Sequence, residues 1–267
     1  MHTPHHERNH AMSHSGDVQG KKVLITGAAG PGIGAACARL FAEAGATVVL
    51  TDRSETRTPA AARDLAAATG ATVVPAVIDV GREESVRVGV AAAVEAVGPL
   101  DVLVNNAAFT DLSPLVETST RSWEKVLNVC LTGTFFMMRA CLPAMIERRA
   151  GSVINIASVN AWTGPADGTA SYSAAKAGVL GLTRAAASEC GPHNVRINAV
   201  APGFVPNPGI ESLFGSDYVR ETSQKAALRR AATPEEIAEA VLFLGSDRSS
   251  YVTGEAICVA GGLYYHA

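Results

Sequence analysis

The sequence is short of charge and of aromatic rings: 18% of its 267 residues are Asp, Glu, Lys or Arg, and 5% are Phe, Trp or Tyr. Acidic and basic residues nearly cancel, 25 against 22, and no long basic run occurs. A nucleic-acid surface is therefore not expected. The five cysteines (Cys37, Cys130, Cys141, Cys190 and Cys258) are scattered and form no C-x-x-C pair. This argues against a disulfide framework or a paired-thiol site, and reads as reduced, buried thiols in a cytosolic protein. No apolar run is read as long enough to span a bilayer, so no membrane association is expected. The first 20 residues lack the apolar core of a secretory signal. They hold five of the seven histidines, His2, His5, His6, His10 and His14. With nothing apolar there to offset ordering, residues 1–20 read as a disordered leader; a metal-binding tail is the competing reading.

What the chain does have is regular alternation from Lys21 onward. Apolar runs at Lys22–Thr26, Thr47–Asp52, Thr72–Ile78, Leu100–Asn105, Ser152–Ile156, Val195–Val200 and Ala256–Val259 read as strands. Between them, Ile33–Ala44, Ala60–Thr69, Glu83–Val97, Arg121–Arg148, Ser171–Cys190 and Pro234–Leu244 read as helices, the fourth with a possible kink near Pro143. Thr233 followed by Glu236 is a capping box. Strands that are apolar throughout, alternating with helices, predict a parallel sheet covered on both faces. No linker or repeat interrupts residues 21–267, which read as one domain. The stretch from Pro202 to Lys225 breaks the alternation and is long for a connection; a lid over about 204–225 is expected.

Two places carry chemistry. Thr26-Gly-Ala-Ala-Gly-Pro-Gly-Ile-Gly34 lies at the first strand–helix junction. Glycines there let the backbone approach a pyrophosphate resting on the helix N-terminus. Asp52 ends the second strand, where a carboxylate accepts bonds from ribose hydroxyls and repels a 2′-phosphate. Arg53 beside it works the other way, and NAD is favoured over NADP. The second place is Tyr172-Ser-Ala-Ala-Lys176, a phenol and an ammonium on one helix face. A phenol is normally a poor base at neutral pH, and a nearby ammonium favours its ionised form. Read alone, the pair is as easily an exposed Tyr and Lys that share a helix face.

Taken in order, several separated motifs resemble the short-chain dehydrogenase/reductase family in its single-domain form. They are Thr26 to Gly34, Asp79-Val80, Asn105-Asn-Ala-Ala108, Asn128, Ser158, Tyr172 with Lys176, Asn198 to Gly203, and Gly254 to Gly262, and the resemblance covers about Lys21 to Tyr264. It implies a Rossmann-type doubly wound α/β fold, with seven parallel strands ordered 3-2-1-4-5-6-7 and helices on both faces. It implies that Tyr172 is the acid/base at the reacting oxygen, that Lys176 tunes it and binds the nicotinamide ribose, and that Ser158 bonds the same substrate oxygen. Asn128 would hold a water that relays protons to Lys176. Gly27, Gly32, Ile33, Gly34, Asp52, Arg53, Asp79, Val80, Asn105, Ala107, Pro202, Gly203, Val205 and Asn207 would border the cofactor. No metal is implied. A homotetramer is, with helices around Arg121–Arg148 and Tyr172–Cys190 packing across a two-fold.

The chain departs from the family pattern in a glycine turn one residue longer than usual, in Asn207 where Thr is frequent, and in Ala260 where Asp is frequent. The loops expected to meet substrate hold few charges and carry Asn160, Trp162, Phe204, Leu213, Phe214 and Tyr218. They suggest an apolar or cyclic secondary alcohol or ketone, with oxidation by NAD as the working direction. The alternatives are an NADPH-dependent 3-oxoacyl thioester reductase and a dinucleotide-binding protein without catalysis. The last would typically lack Tyr172 or Lys176, and both are present.

Overall fold

The computed structural model describes residues 18–165, 168–206 and 208–265, with backbone alone over 208–214. Seven parallel strands form one sheet in the order β3-β2-β1-β4-β5-β6-β7. They are β1 (Lys22–Ile25), β2 (Thr47–Asp52), β3 (Val73–Val77), β4 (Val102–Asn105), β5 (Gly151–Ile156), β6 (Val195–Pro202) and β7 (Ala256–Val259). Between and after them run α1 (Ile33–Glu43), α2 (Arg57–Thr69), α3 (Glu83–Val97), α4 (Thr120–Leu127), α5 (Gly133–Arg148), α6 (Asn160–Thr163), α7 (Ala170–Cys190), α8 (Pro208–Ser223) and α9 (Pro234–Gly245). This is the doubly wound fold expected from the alternation. The folded part also takes in Val18, wholly buried in the core, which was read as leader; the histidines of that leader lie outside the described residues.

The two-residue period of a strand divides the core. Val23, Ile25, Val48, Leu50, Val102, Val104, Ile154 and Ile156 face one layer, with Phe41 of α1, Leu65 of α2 and Ile237 and Val241 of α9. Leu24, Val49, Leu103 and Val153 face the other, with Val86 of α3, Met137 and Met145 of α5 and Ala187 of α7. Each large side chain so buried is worth roughly 1.5–3 kcal/mol relative to exposure. Every one of these strands is apolar on both sides because helices cover both sides.

One expectation is corrected. The helical stretch Thr120–Arg148 is long and apolar enough to cross a membrane by length and composition, contrary to the reading of the sequence; here Met137, Met138, Cys141 and Met145 pack it into the sheet's core. The same stretch leaves α-geometry at a π-helical turn, Asn128–Thr132, while Pro143 lies inside α5. The expected lid is a helix, α8, broken at Gly215 where φ is 78° and ψ 167°. All five cysteines are free, four of them buried, and burial pushes the Cys141 thiol up to about 12.

The capping box of α9 forms as read: Thr233 Oγ1 accepts from Glu236 N, and Glu236 Oε2 accepts from Thr233 N at 2.9 Å. Arg230 adds a two-pronged bond to both carboxylate oxygens, at 2.6 and 2.7 Å. The Arg230 bonds first, and the Thr233 N–H second, hold the Glu236 carboxyl down at about 2. A carboxylate with a lowered folded pKa stabilises fully above its unfolded value, ~4.3, and loses that contribution as pH falls toward the folded value. The difference in urea midpoint between wild type and Glu236→Gln is therefore expected to be constant above pH ~5 and to narrow on acidification. A difference that widens there would contradict the assignment.

Candidate active site

The carboxyl ends of β1 and β4 meet at the point where the order of strands reverses, and a crevice opens there. Thr26, 1% exposed, ties the two ends together. Its Oγ1 accepts from Asn106 N at 2.9 Å and Ala107 N at 3.0 Å, and donates to Val104 O at 3.3 Å. Asn106 returns the contact, its Nδ2 donating to the Thr26 and Gly27 carbonyls at 2.9 and 3.1 Å. Gly27 sits at φ 66°, and a Cβ there would stand 2.8 Å from Ala107 Cα. At Gly34 a Cβ would stand 2.5 Å from Asn106 Nδ2 and 2.6 Å from Gly27 O. Beyond the turn, α1 starts at Ile33 with no side-chain cap, so its first N–H groups are left for another acceptor.

A cavity of about 400 Å³ follows this turn. Gly27, Gly30, Pro31, Gly32, Ile33 and Gly34 form its floor, Asp52, Arg53 and Arg57 one wall, and Ile78, Asp79 and Val80 another. Asn106 to Phe109, Val129, Val205 and Pro206 complete it. Among the described residues, the hydrogen bonds to the Asp52 carboxylate fall on Oδ1, from Ser54 N at 3.2 Å and Arg57 at 3.5 Å. Asp79 Oδ1 accepts from Gly81 N at 3.1 Å and fixes the turn after β3. The volume lies within the ~300–1,000 Å³ of small-molecule sites. Gly27 and Gly34, which leave no room for a Cβ, an uncapped helix start and a carboxylate with one oxygen spare form a set that fits a dinucleotide.

Phe109, which lines the cavity, belongs with Tyr172, Val126, Cys130 and Ala175 to one small apolar cluster. This cluster brings α7 against the crevice. Lys176, one turn on from Tyr172, is 2% exposed. Its Nζ donates to Ile156 O at 2.6 Å and lies 5.4 Å from the Tyr172 ring centre. Ser158, 8% exposed, follows β5, and its Oγ accepts from Asn160 N at 3.2 Å. Asn128 opens the π turn; its Nδ2 donates to Gly81 O at 2.9 Å. That contact pins the π turn to the loop after β3, and the described bond of its side chain runs there instead of toward Lys176.

Other expected site residues sit elsewhere. Asn105 points into the core, its Nδ2 donating to Asn155 Oδ1 at 2.8 Å, while Asn155 donates on to Thr183. The cavity-facing amide is Asn106. Trp162 stacks on Tyr264, packs on the Ala157–Val179–Leu180 cluster, and does not line the cavity at the glycine turn. Phe204 meets the edge of Tyr218 from α8 at 6.2 Å and lines a smaller cavity at the C-terminal end of α8. Asn160 donates its amide to Thr169 Oγ1. Pro202 O accepts from Val159 N, and Gly203 N donates to Val259 O, bracing the ends of β5 and β7. Asn207 and the side chain of Phe214 lie outside the described residues. The reading of the sequence missed Arg57, which spacing alone does not place beside Asp52, and the Asn105-Asn155-Thr183 chain, whose members are far apart in sequence.

The chain is similar to known proteins over most of its length. A family model described as "Enoyl-(Acyl carrier protein) reductase" matches residues 27–264. The 3-oxoacyl-[acyl-carrier-protein] reductase FabG of Thermotoga maritima is 42% identical over 247 residues, covering 92% of this chain and 98% of that protein. The short chain dehydrogenase/reductase astE of Aspergillus oryzae is 41% identical over 251 residues, covering 92% of this chain and 95% of that protein. A solved structure from Sinorhizobium meliloti 1021, assigned as a short-chain alcohol dehydrogenase, superposes with a TM-score of 0.87 at 33% identity, covering 92% of this chain and 97% of that one.

The glycine contacts give a direct test. Gly34→Ala is expected to weaken binding of reduced nicotinamide dinucleotide at least tenfold and to cost ~1–3 kcal/mol of stability, as overpacked sites do. Gly30→Ala, where a Cβ meets nothing within 4 Å, should bind normally. Fluorescence titration and thermal unfolding of both variants read the two effects.

Proposed function

The chain belongs to the short-chain dehydrogenase/reductase family, and from that premise we propose that it is an NAD-dependent oxidoreductase that interconverts a 3-hydroxyacyl and a 3-oxoacyl thioester. The observation that carries the catalytic part is Lys176: an ammonium buried to 2% exposure and, among the described residues, held by a backbone carbonyl with no carboxylate beside it. Burying an unpaired charge is costly, and such a site is a candidate for function.

When bound, the dinucleotide supplies or accepts the hydride. The protein's part is position and the proton. In the reducing direction Tyr172 Oη delivers a proton to the carbonyl oxygen; in the oxidising direction it removes the hydroxyl proton. Ser158 donates a second hydrogen bond to that oxygen and stabilises the charge it gains. The buried Lys176 ammonium places a positive charge beside Tyr172, and Asn128 anchors the π turn, whose Cys130 packs in the same apolar cluster as Tyr172.

Asp52 supports NAD: its Oδ2 is left to accept from a ribose hydroxyl and would repel a 2′-phosphate, while Arg53 and Arg57 pull toward NADP. The thioester is supported by the Thermotoga maritima relative, named for a 3-oxoacyl carrier substrate, and by the description of the family model. A free apolar alcohol or ketone, placed first on the sequence, is the second reading; the Phe204–Tyr218 pair at the root of the lid favours it. Assembly as a homotetramer is part of the same proposal.

Acetoacetyl-CoA and a panel of cyclic secondary alcohols, each with NAD(H) and NADP(H), separate the readings by the absorbance of the reduced nicotinamide. Turnover of acetoacetyl-CoA with NADH is expected; turnover of the alcohols alone would favour the second reading. Tyr172→Phe should lower kcat by about 10²–10⁴-fold with cofactor affinity kept, and near-normal turnover would remove Tyr172 from the mechanism. Asp52→Ala should shift the kcat/KM ratio from NADH toward NADPH; an unchanged ratio would mean that another group reads the ribose.

A further inference from the structure

The helix that follows Ser158 is a single turn, α6, and one turn has almost no stability of its own. It is held by its neighbours. At its start, Asn160 N donates to Ser158 Oγ at 3.2 Å, and the Asn160 amide donates to Thr169 Oγ1 at 3.3 Å, just before α7. Near its end, Trp162 stacks on Tyr264, ring centres 5.0 Å apart and planes 8° apart. Tyr264 arrives from the chain that follows the sheet's last strand, β7. Gly261 and Gly262, at φ 57° and 78°, turn the chain back after β7, and Leu263 N donates to Ala260 O at 3.0 Å. At Gly262 a Cβ would stand 2.6 Å from Ala227 Cβ, so the turn is specified by sequence.

We propose that Tyr264 is a positioning residue for Ser158, acting through Trp162 and α6. The Asn160 N–H occupies one lone pair of the Ser158 oxygen, which leaves the hydroxyl proton to donate toward the reacting oxygen. The direction of that donation depends on where Asn160 sits, hence on α6, hence on the stack that holds it. The inference rests on the reading in which Ser158 bonds the reacting oxygen.

Its test uses the full chain with acetoacetyl-CoA and NADH, in four variants: Tyr264→Ala, Tyr264→Phe, Ser158→Ala, and Ser158→Ala with Tyr264→Ala. An aromatic pair of this kind is worth a factor of about three to ten. Tyr264→Ala should lower kcat by about that factor while NADH affinity stays within about twofold of wild type. Tyr264→Phe, which keeps the ring, should restore wild-type kcat. In the Ser158→Ala background, Tyr264→Ala should have no further effect, because the two act on one group. In a Trp123→Phe background, the emission of Trp162 should shift to the red in Tyr264→Ala. Unchanged kcat, losses that multiply in the double variant, or loss of NADH binding would each overturn the proposal. If Tyr264→Ala does not fold, Tyr264→Leu keeps the bulk without the flat stack and is judged by the same outcomes. Wild-type turnover in Ser158→Ala alone would instead overturn the role of Ser158, which is a separate and visible failure.

Discussion

One hydroxyl sits at the junction on which the site depends. Thr26 joins the carboxyl ends of β1 and β4 by accepting two N–H groups and donating to a carbonyl. It thereby uses all the bonding capacity of a hydroxyl. Without that tie, the glycine turn and the strand beside it would be joined at this level by the Thr26 N–H bond to Val104 O and by the Asn106 amide. Because the turn and the loop after β4 are held in register, the backbone of one can come within 2.8 Å of a Cβ position on the other. The space for a ligand is thus set by backbone contacts, which vary less than side-chain rotamers.

The second constraint is electrical. Lys176 carries its charge into a region where the nearest described acceptor is the Ile156 carbonyl. Arg196 is a similar case elsewhere in the molecule: burial lowers its pKa, and its guanidinium is spread over the Leu244 and Ser246 carbonyls at the end of α9 and the Ser249 hydroxyl. One cation, half-buried, bonds the carbonyls at a helix end and the loop after it. The other, buried, makes a single described bond and stands beside a phenol, which is why the two cations are read so differently.

Most of the fold was legible in the sequence because its signals are local. Apolar runs, helix periods and the Thr233–Glu236 box each need fewer than twenty consecutive residues to be seen, and the alternation of strands and helices follows from them. The glycine turn, Asp52 and the Tyr172–Lys176 pair were legible for the same reason. What was missed depends on distance in sequence. Asn105 and Asn106 are neighbours, yet the pleat sends the first into the core toward Asn155 and leaves the second on the crevice; their sequence does not say which is which. Trp162 looked like a pocket residue because it follows Ser158, and only the returning chain after β7 shows what it packs against. The π turn at Asn128–Thr132 has no proline or glycine pair to announce it, whereas Pro143, which does announce a break, is accommodated inside α5.

The break at Gly215 bears on how this protein can diversify. The half of α8 after it is fastened to the body, since Tyr218 stands edge-on to Phe204 at the root of the lid. The half before it connects to that anchor through one glycine in a conformation foreign to helices. Changes in length or sequence ahead of Gly215 are thereby separated from the anchor by a break in the helix. A lineage can exchange that segment as a cassette without renegotiating the Phe204–Tyr218 contact behind it.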